Sequence, residues 1–317
     1  MLSQEYRKAI YRGIVWRSFL LIAAVIFPVF LQAQQKDSTN IFRVPIELDS
    51  FVVKSGFDIN VFIRRVQNDT TFYKSFRSMH LVPYTAVNNI AVYDKRSSVI
   101  ASLFSRTRQN VSGHCRKTEV LEQKVTGDFF KRNGDYNYYT AELFAYLFFA
   151  KDPVCNETDI VAGALEERGD GQMEKSKYQL KQLIFNPGGK VSGVPLMGDR
   201  VSIFEEDEAR KYDFKVVEDT YDGQDCLKFI ITPKDGYENK VLYNELTTWF
   251  RRSDYSILAR DYSLSYSTLL YDFDVKMKVR TREIGNKLYP VLIDYDGDWH
   301  VFTKKRERVK FSVAIDY

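Results

Sequence analysis

The chain has 317 residues, 44% of them hydrophobic and 15% aromatic, with 21 Tyr and 23 Phe. That is enough apolar material for a sizeable core, and the aromatic content favours strands over a helical bundle. The formal charge is +4, but Arg7, Lys8, Arg12 and Arg17 stand against Glu5 alone in the first 33 residues, so the remainder is close to neutral and lacks the concentrated basic footprint a nucleic-acid partner needs.

Residues 1–33 read as a secretory signal peptide. The four basic residues make its n-region, residues 19–31 are an unbroken apolar run, and Leu31-Gln32-Ala33 ends on a small residue suited to cleavage. The run is short for a membrane span and polar Gln34-Gln35-Lys36-Asp37 follows at once, so the expected address is extracytoplasmic, in the periplasm or associated with the outer membrane. Residues 34–56 begin polar and turn extended at "VPIELDSFVV".

From residue 57 to 317 the sequence predicts a single β-rich domain with helices near 57–80, 140–150 and 173–184. The first helical stretch falls into two pieces, with stripes of Ile59, Phe62, Val66 and of Phe72, Phe76, Met79, and with Asn68-Asp69 as break and new N-cap. Strands follow at "NIAVYD", "VIASLFSRT" and "TEVLEQKVTGDFF", the last meeting "YNYY" through a tight hairpin at Asn133-Gly134. "TAELFAYLFFA" reads as a short helix capped by Thr140, apolar on nearly every side, and therefore a core helix or a lid. From about Asp199 onwards the pattern is an antiparallel meander: "RVSIFEE", "YDFKVVED", "CLKFIITP", "KVLYNELTTWF", "SILARDYSLSY", "YDFDVKMKVR", "LYPVLIDY", "WHVFTKK" and "VKFSVAIDY". Its turns are expected at Asp222-Gly223, Gly285-Asn286 and Asp296-Gly297. The predicted fold class is β-rich α+β: a large curved antiparallel sheet, an incomplete barrel, covered by a few helices.

Catalytic signatures are sparse. His80, His114 and His300 stand in no metal-ligand spacing, no G-x-S-x-G elbow occurs, and "NPGGKVSG" lacks the Ser/Thr and the first glycine of a phosphate loop. Neither a metal, a cofactor nor a catalytic activity is expected. Cys115, Cys155 and Cys226 allow one disulfide in an oxidising compartment. Cys115–Cys155 is the preferred pair because Cys226 lies within a strand pattern, and three unpaired cysteines are the alternative.

In "YDFDVKMKVR" Tyr271, Phe273, Val275, Met277 and Val279 share one face, and Asp272, Asp274, Lys276, Lys278 and Arg280 the other. Three destinations compete for the apolar side. Lipid is one, in an outer-membrane barrel, and the alternation Val309, Phe311, Val313, Ile315, Tyr317 up to the terminal aromatic favours it. The others are a self-filled core and a concave sheet holding a hydrophobic ligand. The layout of signal peptide, helices and long meander, with "VTGDFFKRNGDYNYY", "YDFKVVEDTYDGQDCLKFIITPK" and "LYPVLIDYDGDWHVF", resembles the Lol-type lipoprotein-carrier superfamily (LolA/LolB-like half-barrels) over residues 85–317. The resemblance implies a non-catalytic envelope protein that binds lipid or lipoprotein acyl chains, with other envelope proteins as partners; the alternative is an outer-membrane barrel or a structural or assembly component of the envelope. No signature residue of those carriers is matched, so none is carried over. The side chains expected to line such a site are Phe144, Leu147 and Phe148 on the short helix and Phe273, Val275 and Met277 on the sheet.

Overall fold

The computed structural model describes residues 42, 44–48, 57–161, 185, 187–188, 198–267, 271–301 and 305–317. The expected signal peptide and the expected helix at 173–184 lie outside the described residues. The strands are β1 (Ile46–Leu48), β2 (Tyr84–Tyr93), β3 (Val99–Ser112), β4 (Cys115–Gly127), β5 (Val154–Cys155), β6 (Tyr212–Tyr221), β7 (Gln224–Pro233), β8 (Tyr243–Arg251), β9 (Ile257–Ser267), β10 (Tyr271–Ile284), β11 (Lys287–Val301) and β12 (Glu307–Asp316). They form one unclosed 12-stranded sheet in the order β1-β6-β7-β8-β9-β10-β11-β12-β2-β3-β4-β5. Every pairing is antiparallel except β1 with β6. The fold is thus an incomplete barrel with helices on it.

The helices are α1 (Ile59–Gln67), α2 (Thr71–Met79), α3 (Tyr139–Phe148) and the single turn α4 (Glu206–Ala209). Asp58 caps α1 by accepting from the Asn60 and Val61 amides at 2.9 and 3.1 Å. Asp69 does the same for α2 through the Thr71 and Phe72 amides, so the break at 68–69 comes from a carboxylate competing for backbone donors. Phe62 of α1 is fully buried and meets Phe229 and Phe250 edge-on, each at 5.3 Å. Phe144 of α3 packs on Phe311 at 4.3 Å. Burying such a ring stabilises by about 1.5–3 kcal/mol, which is why the helices are held on the inner face of the sheet.

That packing decides where the apolar side of β10 looks. Phe273, Val275, Met277 and Val279 are buried, whereas Asp274, Lys276 and Lys278 are exposed on the outer face. The outer face is tied by cross-strand ion pairs, among them Arg306–Asp298 (2.7 Å), Arg308–Asp298 (2.8 Å) and Lys310–Asp296 (2.7 Å). A membrane barrel would need the reverse: a closed sheet with apolar side chains outward. The outer-membrane barrel alternative is therefore corrected.

Three local expectations are also corrected. "RVSIFEE" is not a strand but a 3-10 turn (Gly198–Val201) leading into α4. At Asn133-Gly134 no ladder forms beyond one Phe130–Tyr136 bridge; β4 ends at Gly127 and is instead the hairpin partner of β3. Asp296-Gly297 is not a turn, because β11 runs straight through it with Gly297 opposite Val275 and Val309. A Cβ on Gly297 would lie 2.1 Å from the Tyr295 hydroxyl, so the glycine makes room for a ring lying along its own strand. The turns at Asp222-Gly223 and Gly285-Asn286 do form, with positive φ at Asp222 (50°), Gly223 (74°) and Gly285 (66°).

Candidate functional site

A cavity of ≈ 680 Å³ opens between α2, α3, the segment around β5 and the start of β4. Helical spacing supplies one wall: Tyr73, Phe76, Arg77 and His80 recur at i, i+3, i+4 and i+7 along α2 and its C-cap. Leu147 and Phe148 of α3, Phe149 just after it, and Phe185 complete the apolar surface. Phe185 lies 5.0 Å from Tyr73 and 4.6 Å from Phe76, ring to ring. A second cavity of ≈ 380 Å³ runs along the inner side of β3 and β4, over Leu103, Thr107, Thr118 and Val120. Tyr136, Phe149 and Lys151 line both, so the two spaces share a partition.

Polar side chains gather at one end of the larger cavity. Arg116 of β4, only 7% exposed, donates through Nε to Glu157 Oε2 and through Nη1 to Gln109 Oε1 at 3.4 Å. Gln109 is held in turn, donating to the Met79 and Val82 carbonyls at 2.8 and 2.7 Å. His80 Nδ1 lies 3.0 Å from Glu157 Oε1. Burial, reinforced by the Arg116 and Arg77 charges and opposed by Glu157, lowers the His80 pKa, so the ring is neutral and Nδ1–H donates to the carboxylate. Burial acts to raise the Glu157 pKa, but hydrogen bonds from His80 and Arg116 and the arginine charge outweigh it and hold the carboxyl at about 2.

Arg77 is satisfied differently. It donates through Nη2 to the neutral Thr158 Oγ1 at 3.4 Å, and its Nε is buried without a partner. Among the described residues it has no carboxylate partner. Lys131, Lys151, Asp135 and Asp152 are exposed at the margin of the cavity, and half-buried Glu142 also lines it.

The segment bearing Glu157 is fastened by the Cys115–Cys155 disulfide, which joins β4 to β5, while Cys226 is buried as a free thiol. Burial pushes the Cys226 thiol up to about 11, which leaves it unreactive.

The six side chains expected to line a ligand site are not brought together. Leu147 and Phe148 lie on the large cavity. Phe144, with Leu147, lines a cleft of ≈ 30 Å³ against Tyr295, Trp299 and Phe311. Phe273, Val275 and Met277 are core: Phe273 packs on Trp299 at 4.8 Å, and the Met277 sulfur accepts from the Tyr262 hydroxyl at 2.8 Å. Sequence reasoning missed Phe76, Arg77, His80, Arg116 and Glu157. One signal was available, the polar Arg77 and His80 interrupting the apolar stripes of α2; nothing local marks Arg116 or Glu157. No group of three metal-ligating side chains is found among the described residues.

No family model matches the chain, and no curated protein matches it. Similar solved structures include a domain named for outer membrane lipoprotein sorting from Vibrio parahaemolyticus, 11% identical, TM-score 0.23, with 77% of this chain and 87% of that one covered. A LolA superfamily protein from Nitrosomonas europaea is 10% identical, TM-score 0.22, over 78% of this chain and 91% of that one. A DUF1329 family protein from Desulfovibrio piger is 14% identical, TM-score 0.22, over 84% of this chain and 92% of that one.

Proposed function

We propose that the protein is an exported, non-catalytic envelope protein that binds the hydrocarbon chain of a lipid or lipoprotein in the cavity between α2 and α3, and passes it to or receives it from other envelope proteins. The observation that carries this reading is the aromatic-walled cavity of ≈ 680 Å³, within the range of about 300–1,000 Å³ usual for small-ligand sites. Phe76, Leu147, Phe148, Phe149 and Phe185 offer it apolar surface, and each Å² removed from water stabilises the complex by about 25 cal/mol. The sheet itself fills its inner face with core, so the ligand lies beside the sheet under α2 and α3 rather than on β10. At the polar end Glu157 is held by Arg116 and His80.

The test is native mass spectrometry of the exported protein purified without detergent. The expected result is a monomer carrying extra mass of lipid, lost in a folded Phe149→Asp variant, which places a charge on the partition between the two cavities. A wild-type protein that stays free of adduct after incubation with envelope lipid extract would sink the proposal.

A further inference from the structure

The cavity is not uniformly apolar, and the exception has a sign. Of the two guanidinium groups at its polar end, Arg116 is matched by Glu157 and braced by Gln109. Arg77 is not matched: its half-buried guanidinium donates to one hydroxyl at 3.4 Å, its Nε is buried and orphaned, and among the described residues no carboxylate pairs with it. Half-buried Glu142 in the first turn of α3 lines the same cavity but makes no ion pair with it. A cation left short of partners beside apolar walls is costly, and such sites recover that cost when an anion arrives. The aromatic side chains Phe76, Phe148 and Phe149 lie along the same cavity, and past Phe149 the second cavity continues over Leu103 and Val120.

We propose that the ligand is an anionic amphiphile, a single hydrocarbon chain ending in a carboxylate or phosphate. Its head pairs with Arg77, and its chain lies along Phe76, Phe148 and Phe149 towards the β3–β4 cavity. This rests on the cavity reading above and adds the chemistry of the head. At that end Thr158 is neutral, and the Glu157 carboxylate is engaged on both oxygens by His80 and Arg116.

Equilibrium dialysis of the wild-type protein against labelled dodecanoate, dodecyl phosphate and dodecanol separates the two layers. Both anions should bind about tenfold tighter than the alcohol, the advantage expected of a charge-assisted pair. Arg77→Lys should keep that preference and Arg77→Gln should erase it, with folding checked by circular dichroism. Tighter binding of the phosphate would point to a lysophospholipid-type head, tighter binding of the carboxylate to a fatty acid. Equal binding of all three by the wild type, or an anion preference that survives in Arg77→Gln, overturns the head-group inference while the cavity reading stands. Failure of every chain to bind overturns the cavity reading and this inference with it.

Discussion

Gly297 shows how one missing Cβ directs a neighbourhood. Tyr295 lies over it, stacks on Phe311 at 4.7 Å with the rings nearly parallel, and its hydroxyl accepts from the Trp299 indole. Gly297→Ala should force the ring aside and destabilise by about 1–3 kcal/mol in urea denaturation, as overpacking does. In a Tyr295→Ala background the same substitution should cost much less; equal costs in the two backgrounds would refute the close-approach account. The dipeptide Asp296-Gly297 carries the same local signal as Asp222-Gly223, which is why the sequence predicts a turn at both. The difference is not local: Gly297 is covered by a ring and paired on both sides, whereas Gly223 meets nothing within 4 Å of its would-be Cβ.

At the scale of elements, α3 is capped from outside itself. Tyr138, its N-cap residue, makes no side-chain cap, and Thr140 is already helical. Glu307 of β12 accepts from the Tyr139 and Thr140 amides at 2.8 and 2.9 Å and from the Thr140 hydroxyl at 2.9 Å. A carboxylate there meets orphan donors and the positive end of the helix dipole together. Glu307→Ala should therefore cost about 0.5–2 kcal/mol, and Glu307→Gln less, in the same denaturation measurement. A loss under about 0.5 kcal/mol for the alanine variant, the range of an ordinary surface change, would show the cap to be idle. The helix was legible from its composition and length; its cap was not, since 167 residues separate Thr140 from Glu307. Strands were legible wherever apolar and charged residues alternate, as in β10. β12 sits between β11 and β2, and Arg306 and Arg308 at its start pair with Asp298 of β11.

Across the whole molecule, the polar end of the cavity ties three remote parts of the chain: α2 through His80, β4 through Arg116 and the segment after β5 through Glu157. Convergence of this kind leaves no mark in any window of sequence, so the candidate site was far less readable than the sheet. It does leave a mark on acid stability. His80 and Glu157 both have folded pKa values below their ordinary 6.5 and 4.5, so both contribute stability that is present above those values and lost as pH falls. Stability should begin to decline below about pH 6.5 as the unfolded chain takes up a proton that buried His80 resists, and fall again between 4.5 and about 2 as Glu157 is protonated. In His80→Gln the first decline should be reduced; an unchanged profile between pH 6.5 and 5 in denaturant titrations would remove His80 from this account.

The Cys115–Cys155 bond has a consequence in time rather than in space. Glu157 reaches Arg116 from a segment that pairs with β4 at only two positions, both at the disulfide. Until those sulfurs are oxidised, that clasp is held by side chains and a few backbone hydrogen bonds, among them Asn156 N–H to the His114 carbonyl and Thr118 N–H to the Ala150 carbonyl, each at 2.8 Å. Reduced, the chain would thus keep its sheet and helices but hold the polar end of the cavity less firmly than after the bond forms.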